Sequence, residues 1–318
     1  MLNLGSKKRP VCVGILWICK KLLFPHTGVE QRENKQEARE MKARRKIIMT
    51  VCLAWLGCMP AVQAQPAATP PAKAATGNPL DHPWQVPSPR FTSEAYFTNL
   101  KDGDRIETPF RATFGLSGGW GLAPISKPMG GKTGHHHLLL STDLPLDFEK
   151  ALPFNDKYMH FGKGQMETVL TLEPGTYGLR LLLANSKHVL HFVYSKPIKV
   201  TVTRKNSDVD PKSLSKKGIS LLNLPSDAKL TAPFRLQFHA SGLNVAHLSQ
   251  QEKDTGHFRL TMTPKSGEKP AEIEFVNGQT EAWLSPPPGP YTLKLDFMDN
   301  VNAGKALADS VSSPVRVE

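Results

Sequence analysis

From Ser93 onward, apolar and polar residues alternate along the chain. Phe110, Ala112, Phe114 and Leu116 recur at every second position, and so do Tyr177, Leu179, Leu181 and Leu183 after a Pro174-Gly175 turn. The pattern returns at Phe234, Leu236 and Phe238, then at Tyr291, Leu293, Leu295 and Phe297 after Pro288-Gly289. A period of two marks strands with one buried face, and no segment here carries a convincing 3.6-residue period. Short strands separated by Pro, Gly, Asn and Asp predict antiparallel sandwiches. The expected fold is therefore all-β: two tandem immunoglobulin-like antiparallel β-sandwiches, over 93–203 and 219–318, with a polar, lysine-rich linker at 204–218.

The two halves are copies of one unit. Asn99-Leu100, Pro109-Phe110-Arg111, Phe114 and Ser117-Gly118 match Asn223-Leu224, Pro233-Phe234-Arg235, Phe238 and Ser241-Gly242. Thr133-Gly134-His135, Gly164-Gln165-x-Glu167 and Pro174-Gly175-x-Tyr177 match Thr255-Gly256-His257, Gly278-Gln279-x-Glu281 and Pro288-Gly289-x-Tyr291. Shared residues are expected to serve the fold, and residues confined to one copy are the candidates for function. The first copy holds His135, His136, His137, His160, His188 and His191, of which the second keeps only the equivalent of His135.

The N-terminal quarter changes the picture of charge. The chain of 318 residues has a formal net charge of +12, but 12 of its 40 Lys and Arg and only four of its 28 Asp and Glu precede residue 65. The remainder, at +4, is an ordinary surface with no basic helix or aromatic-interleaved basic motif, so no nucleic-acid partner is expected. Residues 41–64 read as a secretory signal peptide. Met41-Lys-Ala-Arg-Arg-Lys46 is a basic start, Ile47–Leu56 an apolar run too short to span a membrane, and Val62-Gln63-Ala64 a cleavage site of small residues. Residues 1–40 are expected to be an over-extended gene model upstream of a true start at Met41. Trp55-Leu56-Gly57 is a poor lipobox, so lipidation at Cys58 is not expected. All four cysteines (Cys12, Cys19, Cys52 and Cys58) fall before residue 65. The mature part can form no disulfide and no thiolate site, which suits an oxidising compartment. Seven prolines and many alanines make 65–92 an extended linker. A periplasmic or secreted protein with no stable membrane span after processing is the expectation.

The first copy resembles a bacterial family of unknown function, DUF4399. The resemblance rests on Asn99-Leu100-Lys101-Asp102-Gly103, Pro109-Phe110, Thr133-Gly134-His135-His136-His137-Leu138-Leu139, His160-Phe161-Gly162-x-Gly164-Gln165-x-Glu167 and Pro174-Gly175. The family's late segment reads Asp-His-x-His-x-Pro-His. Here it is Asn185-Ser186-Lys187-His188-Val189-Leu190-His191, with only the last two histidines. The second copy is similar to a diverged repeat of the first. The resemblance implies no activity.

The repeat assigns faces to the histidines. His136 aligns with Phe258, which shares a face with Leu260 and Met262, so it belongs to the core. His135 and His137 point the other way, about 6–7 Å apart along the strand. His160 aligns with Glu274 between the apolar Ile273 and Phe275, so it too points outward. His135, His137 and His160 are expected on one exposed face, with His188 and His191 arriving from a neighbouring loop. Imidazoles without thiolates suit copper or zinc, and Met129 and Met159 flank the set in sequence. A hydrogen-bonded lattice of histidines without metal fits the same pattern. The Gly-rich stretches around Trp120 and Gly130 are expected to be flexible turns, and Asp143, Asp147 and Glu149 solvated charge. No nucleophile elbow, H-E-x-x-H helix or Ser-His-Asp arrangement stands out, so an enzyme is unsupported. The leading expectation is a binding module with a metal site at His135, His137, His160, His188 and His191. The rival is an envelope protein that contacts other proteins.

Overall fold

A computed structural model describes residues 82–318 apart from 91, 128, 146 and 226. Residues 1–40, the expected leader at 41–64 and the first part of the Pro/Ala-rich stretch, and with them all four cysteines, lie outside the described residues. After β1 (Gln85–Val86), the first sandwich begins with β2 (Ala95–Phe97), β3 (Arg105–Thr108), β4 (Phe110–Leu116) and β5 (Gly121–Leu122). It continues through β6 (Thr133–Leu140), β7 (Tyr158–Phe161), β8 (Glu167–Leu170), β9 (Gly175–Ala184), β10 (Leu190–Tyr194) and β11 (Ile198–Lys205). The second holds β12 (Gly218–Leu221), β13 (Ala228–Leu230), β14 (Phe234–Ser241), β15 (Asn244–Val245) and β16 (Thr255–Pro264). It ends with β17 (Ala271–Phe275), β18 (Glu281–Leu284), β19 (Gly289–Asp299) and β20 (Val311–Val317).

In the first copy β2-β4-β8 faces β3-β11-β9-β6-β5, with β7 on β6 and β10 on β9. In the second, β12-β14-β18 faces β13-β20-β19-β16-β15, with β17 on β16. Both copies therefore repeat one scheme, down to the parallel pairs β3–β11 and β13–β20 and the parallel pairs β5–β6 and β15–β16. The scheme is an immunoglobulin-like sandwich. Among the described residues the only helix is a 3₁₀ turn at Pro211–Leu214, within the expected linker. None is long and apolar enough to cross a membrane.

The shared sequence motifs have identifiable work. Asn99 donates from Nδ2 to the Arg111 carbonyl at 2.7 Å and accepts from the Thr113 N–H at 2.9 Å. Asn223 does the same to Arg235 and Gln237 at 2.7 and 2.8 Å. Each side chain completes the ladder at a strand edge, where unpaired backbone groups are costly. Tyr177 and Tyr291 donate to the carbonyls of Glu173 and Pro287, four residues upstream, at 3.0 and 2.9 Å. These are tyrosine corners of the sandwich. Phe114 and Phe161 are mirrored by Phe238 and Phe275 in the core, and His136 takes the place of Phe258.

Not every shared motif serves its own copy. Gly164 and Gly278 have positive φ (91° and 75°), and a Cβ on either would collide with a carbonyl of the other copy, that of Val245 or of Leu122. The Val245 N–H donates to the Gly164 carbonyl, and the Leu122 N–H to that of Gly278, both at 2.9 Å. The glutamates reach across in the same reciprocal way. Glu167 accepts from Ser241 Oγ (2.9 Å), the Gly242 N–H (3.1 Å) and His239 Nε2 (3.0 Å). Glu281 accepts from the Tyr96 hydroxyl at 2.7 Å. Tyr96 lies opposite Gly115 in its strand pair, and His239 lies opposite Ser220 in the equivalent pair. Each copy thus has one large and one small residue at this spot, in opposite order, and the large one meets the partner's carboxylate.

Two expectations need correction. The stretch 65–92 is not all plain linker: Gln85 and Val86 pair with Leu284 and Trp283 and extend a sheet of the second copy. The Gly-rich loop after Gly118 is not simply a flexible turn, because Gly121–Leu122 forms β5, Leu122 is fully buried, and the loop makes the inter-copy bonds just described.

Burial works to raise the Glu167 pKa, but hydrogen bonds from His239 and Ser241 outweigh it and hold the carboxyl below its ordinary range. At Glu281 burial wins and the pKa is raised, and its Oε1 has no partner. Removing one member of a buried pair typically costs about 3 kcal/mol, so Glu167→Ala should lose roughly that. Glu281→Ala should lose less, because that carboxylate is held by one hydrogen bond from Tyr96 and a 3.6 Å ion pair with Arg235, where Glu167 accepts three hydrogen bonds. Chemical denaturation of both variants measures the difference, and equal losses would contradict the asymmetry.

Candidate metal centre

Strand β6 reads Thr-Gly-His-His-His-Leu-Leu-Leu and pairs with β7 on one side and β9 on the other. Its alternation sends His136 into the main core, edge-on to Phe114 at 5.5 Å. Neither ring nitrogen of His136 has a hydrogen-bond partner. The second copy uses a phenyl ring there, so packing does not require an imidazole. His135, His137 and Leu139 share the opposite face. His160 lies directly across from His137 on β7, and the same register sets Glu274 across from Arg259.

That opposite face is not exposed. His135 and His137 are each only 1% accessible. Leu139, Leu152, Leu182, Ala184 and Leu190 form a second small core beside them, with Leu144 and Phe148 packed on it. The loop from 141 to 157 supplies this cover. It is stitched to the 185–189 turn by an Ala151–Val189 bridge and by a bond from the Leu152 N–H to the His188 carbonyl at 2.8 Å.

His188 closes the set from that turn. Its φ is +61°, a conformation that favours glycine. Its N–H donates to the Asn185 carbonyl at 2.8 Å, and the Asn185 N–H to that of Val189 at 2.9 Å. The Nε2 atoms of His135 and His137 are 2.9 Å apart, and those of His188 and His160 are 3.3 Å apart. One ligand nitrogen from each of the four lies within 4.8 Å of all the others. Tetrahedral Zn–N bonds would place nitrogens about 3.3 Å apart, so shifts of an ångström or so convert this set into a ligand sphere.

His191, also expected here, goes elsewhere. A register irregularity in the β9–β10 pair lies between Leu190 and Tyr194. The ring packs on Trp120 at 4.7 Å, and His191 Nε2 bonds the Thr133 carbonyl at 3.1 Å. It supports the strand that carries the cluster without joining it. Of the methionines, Met159 packs on the main core, and Met129 Sδ lies 3.7 Å from Ser249 Oγ.

Burial lowers the pKa of every imidazole in the set. His135 falls to about 2 through burial and then through its imidazole neighbours, and His137 to about 3 for the same reasons. His160 is lowered by burial and by His188, and His188 by burial. The cluster is neutral at pH 7, and the buried Nδ1 of His137 has no partner. In the second copy the corresponding positions form an ionic network: Glu274 bonds His257 Nε2 at 2.8 Å and also Arg259.

Sequence reasoning missed two supporting residues. A Cβ on Gly162 would lie 2.6 Å from His160 Nε2. Its φ is not positive, so the glycine serves space rather than conformation. The second copy has Val276 at this position, where Glu274 replaces His160. That exchange was visible in the repeat alignment. Phe154 was not foreseeable: 70% exposed, it stands edge-on to His188 at 4.6 Å and to His160 at 5.8 Å.

The fold and site define a tandem β-sandwich protein with a buried four-imidazole pocket in its first copy. The chain belongs to the DUF4399 family, a domain of unknown function whose model matches residues 112–203 and 236–318. No curated protein matches it in sequence. Among solved structures it is similar to fibronectin(III)-like modules of Clostridium thermocellum CbhA, at 12% identity over 70% of this chain and 94% of that one, with a TM-score of 0.23. A two-domain fibronectin type III segment of chicken tenascin matches at 14% identity over 66% and 94%, with a TM-score of 0.19. The chicken CNTN1 FN1–FN3 domains match at 10% over 68% and 66%, with a TM-score of 0.18. The sandwich assignment rests on the strand pairing rather than on these overlaps.

Because these histidines hold lower pKa values folded than unfolded, their contribution to stability is complete above the unfolded value of about 6.5 and is lost as pH falls below it. The melting temperature should therefore drop between pH 6.5 and 4.5. His136→Phe removes one such group, whose folded pKa is about 3, and should make the drop shallower; an unchanged slope would contradict the assignment. Gly162→Ala should displace the His160 ring while the fold persists. A histidine side-chain NMR spectrum, read beside an unchanged circular dichroism spectrum, tests this.

Proposed function

We propose that this is an exported, non-catalytic binding module that holds one transition-metal ion, copper or zinc, at His135, His137, His160 and His188. The observation that carries this reading is the convergence of four neutral imidazole nitrogens within 4.8 Å in one copy, where the other copy has an ion-paired network. Neutral imidazole is the form that ligates copper and zinc. The leader at 41–64 and the lack of cysteine beyond residue 64 support a periplasmic or secreted location.

The turn at His188 favours ligation over a purely structural lattice. An L-residue in the left-handed region costs about 1–2 kcal/mol, whereas glycine there gives back about 0.5–1 kcal/mol in unfolded-state entropy. A lattice selected for stability gains little from a histidine at that position.

Cu(II) and Zn(II) titrated into the untagged protein should each bind with one-to-one stoichiometry. Affinity should hold through about pH 6.5, where a free imidazole already takes up protons, and decline only as pH falls into the lowered range in which burial places these ligands, since protons then compete with the metal. His135→Ala and His160→Ala should weaken binding at least about tenfold, as loss of a ligand exceeds the effect of losing its support. His188→Gly should weaken it similarly while leaving the metal-free melting temperature unchanged or raised. Wild type and variants binding alike would reject the site; a marked loss of metal-free stability in His188→Gly would favour the lattice.

A further inference from the structure

We infer that a divalent ion in this pocket is accompanied by an anion from solution, bound on its His160–His188 side. This rests on the metal reading and adds the chemical class of a second ligand, a small monoanion such as a halide, hydroxide or carboxylate.

Four imidazoles bring no negative charge, so a divalent ion keeps both of its own. The walls beside His135 and His137 are Leu139, Leu152, Leu182, Ala184 and Leu190. An uncompensated charge against such a wall is costly. The second copy shows how this fold meets that cost at the same strand positions. There the cationic Arg259 and the imidazole of His257 both bond the carboxylate of Glu274. In the first copy that carboxylate position is His160. His137 stands where the cationic Arg259 stands in the second copy, and no carboxylate faces it, so a bound divalent ion would find no counter-charge on these strands and the negative charge must come from outside them.

The structure also leaves a side for it to enter. His135 and His137 are sealed, while His160 and His188 are partly exposed. Beside His160 opens a cavity of about 540 Å³, lined among others by Phe154, Asp156, Tyr158 and Gln165. Gly162 keeps the His160 edge free of a side chain. Lys157, Lys163 and Lys187, all exposed, lie within three residues of His160 or His188 in the chain. Two carboxylates line the cavity among the described residues: Glu167 is held by His239 and Ser241, which leaves Asp156 as the internal competitor for the role.

The test uses the untagged full chain, Cu(II) as the metal and azide as the anion. Azide should add a charge-transfer absorption to the Cu(II) protein and tighten Cu(II) binding, on the order of tenfold at an azide concentration ten times its own Kd. His160→Glu restores the second copy's residue, so its Cu(II) binding should become indifferent to azide. Cu(II) bound by the wild type with spectrum and affinity unchanged by azide would overturn the inference while leaving the metal site standing. So would azide-indifferent binding that is lost in Asp156→Asn, which would assign the charge to Asp156. If neither Cu(II) nor Zn(II) binds the wild type at all, the metal reading fails first and the inference with it.

Discussion

The backbone ladder of β6 against β7 and β9 is the constraint on which the site depends. It fixes a two-residue alternation in a run of three histidines, sending one ring into a phenylalanine-lined core and two into a separate pocket. A slip of one residue would reverse all three. The register is held because Leu138, Leu181 and Leu183 must stay in the main core. The cluster is thus positioned by hydrophobic residues whose side chains lie on the other face of the sheet.

Much of this was legible in the sequence, and the limits have physical causes. The period of two, visible at Phe110–Leu116 and Tyr177–Leu183, gave the strands. The alignment of the copies placed His136 inside and set His135, His137 and His160 on a common face. The cover over that face was not legible, because Leu144, Phe148, Leu152 and Phe154 lie in a loop without a repeating pattern. His191 was expected in the same loop as His188, but it lies in β10, whose irregular register between Leu190 and Tyr194 turns its ring toward Trp120; so short and irregular a strand has no alternation to read. The motif Gly-Gln-x-Glu was visible in both copies, but its role lies between them, and intra-copy patterning carries no signal for that.

The second copy serves as an internal control for the first. Both share register, turns and most core positions, yet at three matched sites one has His135, His137 and His160 and the other His257, Arg259 and Glu274. The ionic set satisfies itself through bonds to Glu274. The neutral set leaves a buried ring nitrogen of His137 unpaired and relies on burial to keep its members uncharged. The fold tolerates either solution, so the difference between them reflects something other than the needs of packing.

The exchange of large and small residues at the copy interface bears on the ancestry of the chain. Tyr96 beside Gly115 and His239 beside Ser220 are two solutions to one task, each presenting a single polar ring to the other copy's glutamate. By the equivalence of the copies, a pair of first copies would set Glu167 against Tyr96, and a pair of second copies would set Glu281 against His239. Each half thus keeps a seam that a duplicate of itself would also satisfy. The two different rings record divergence after duplication rather than a requirement that the halves be unlike.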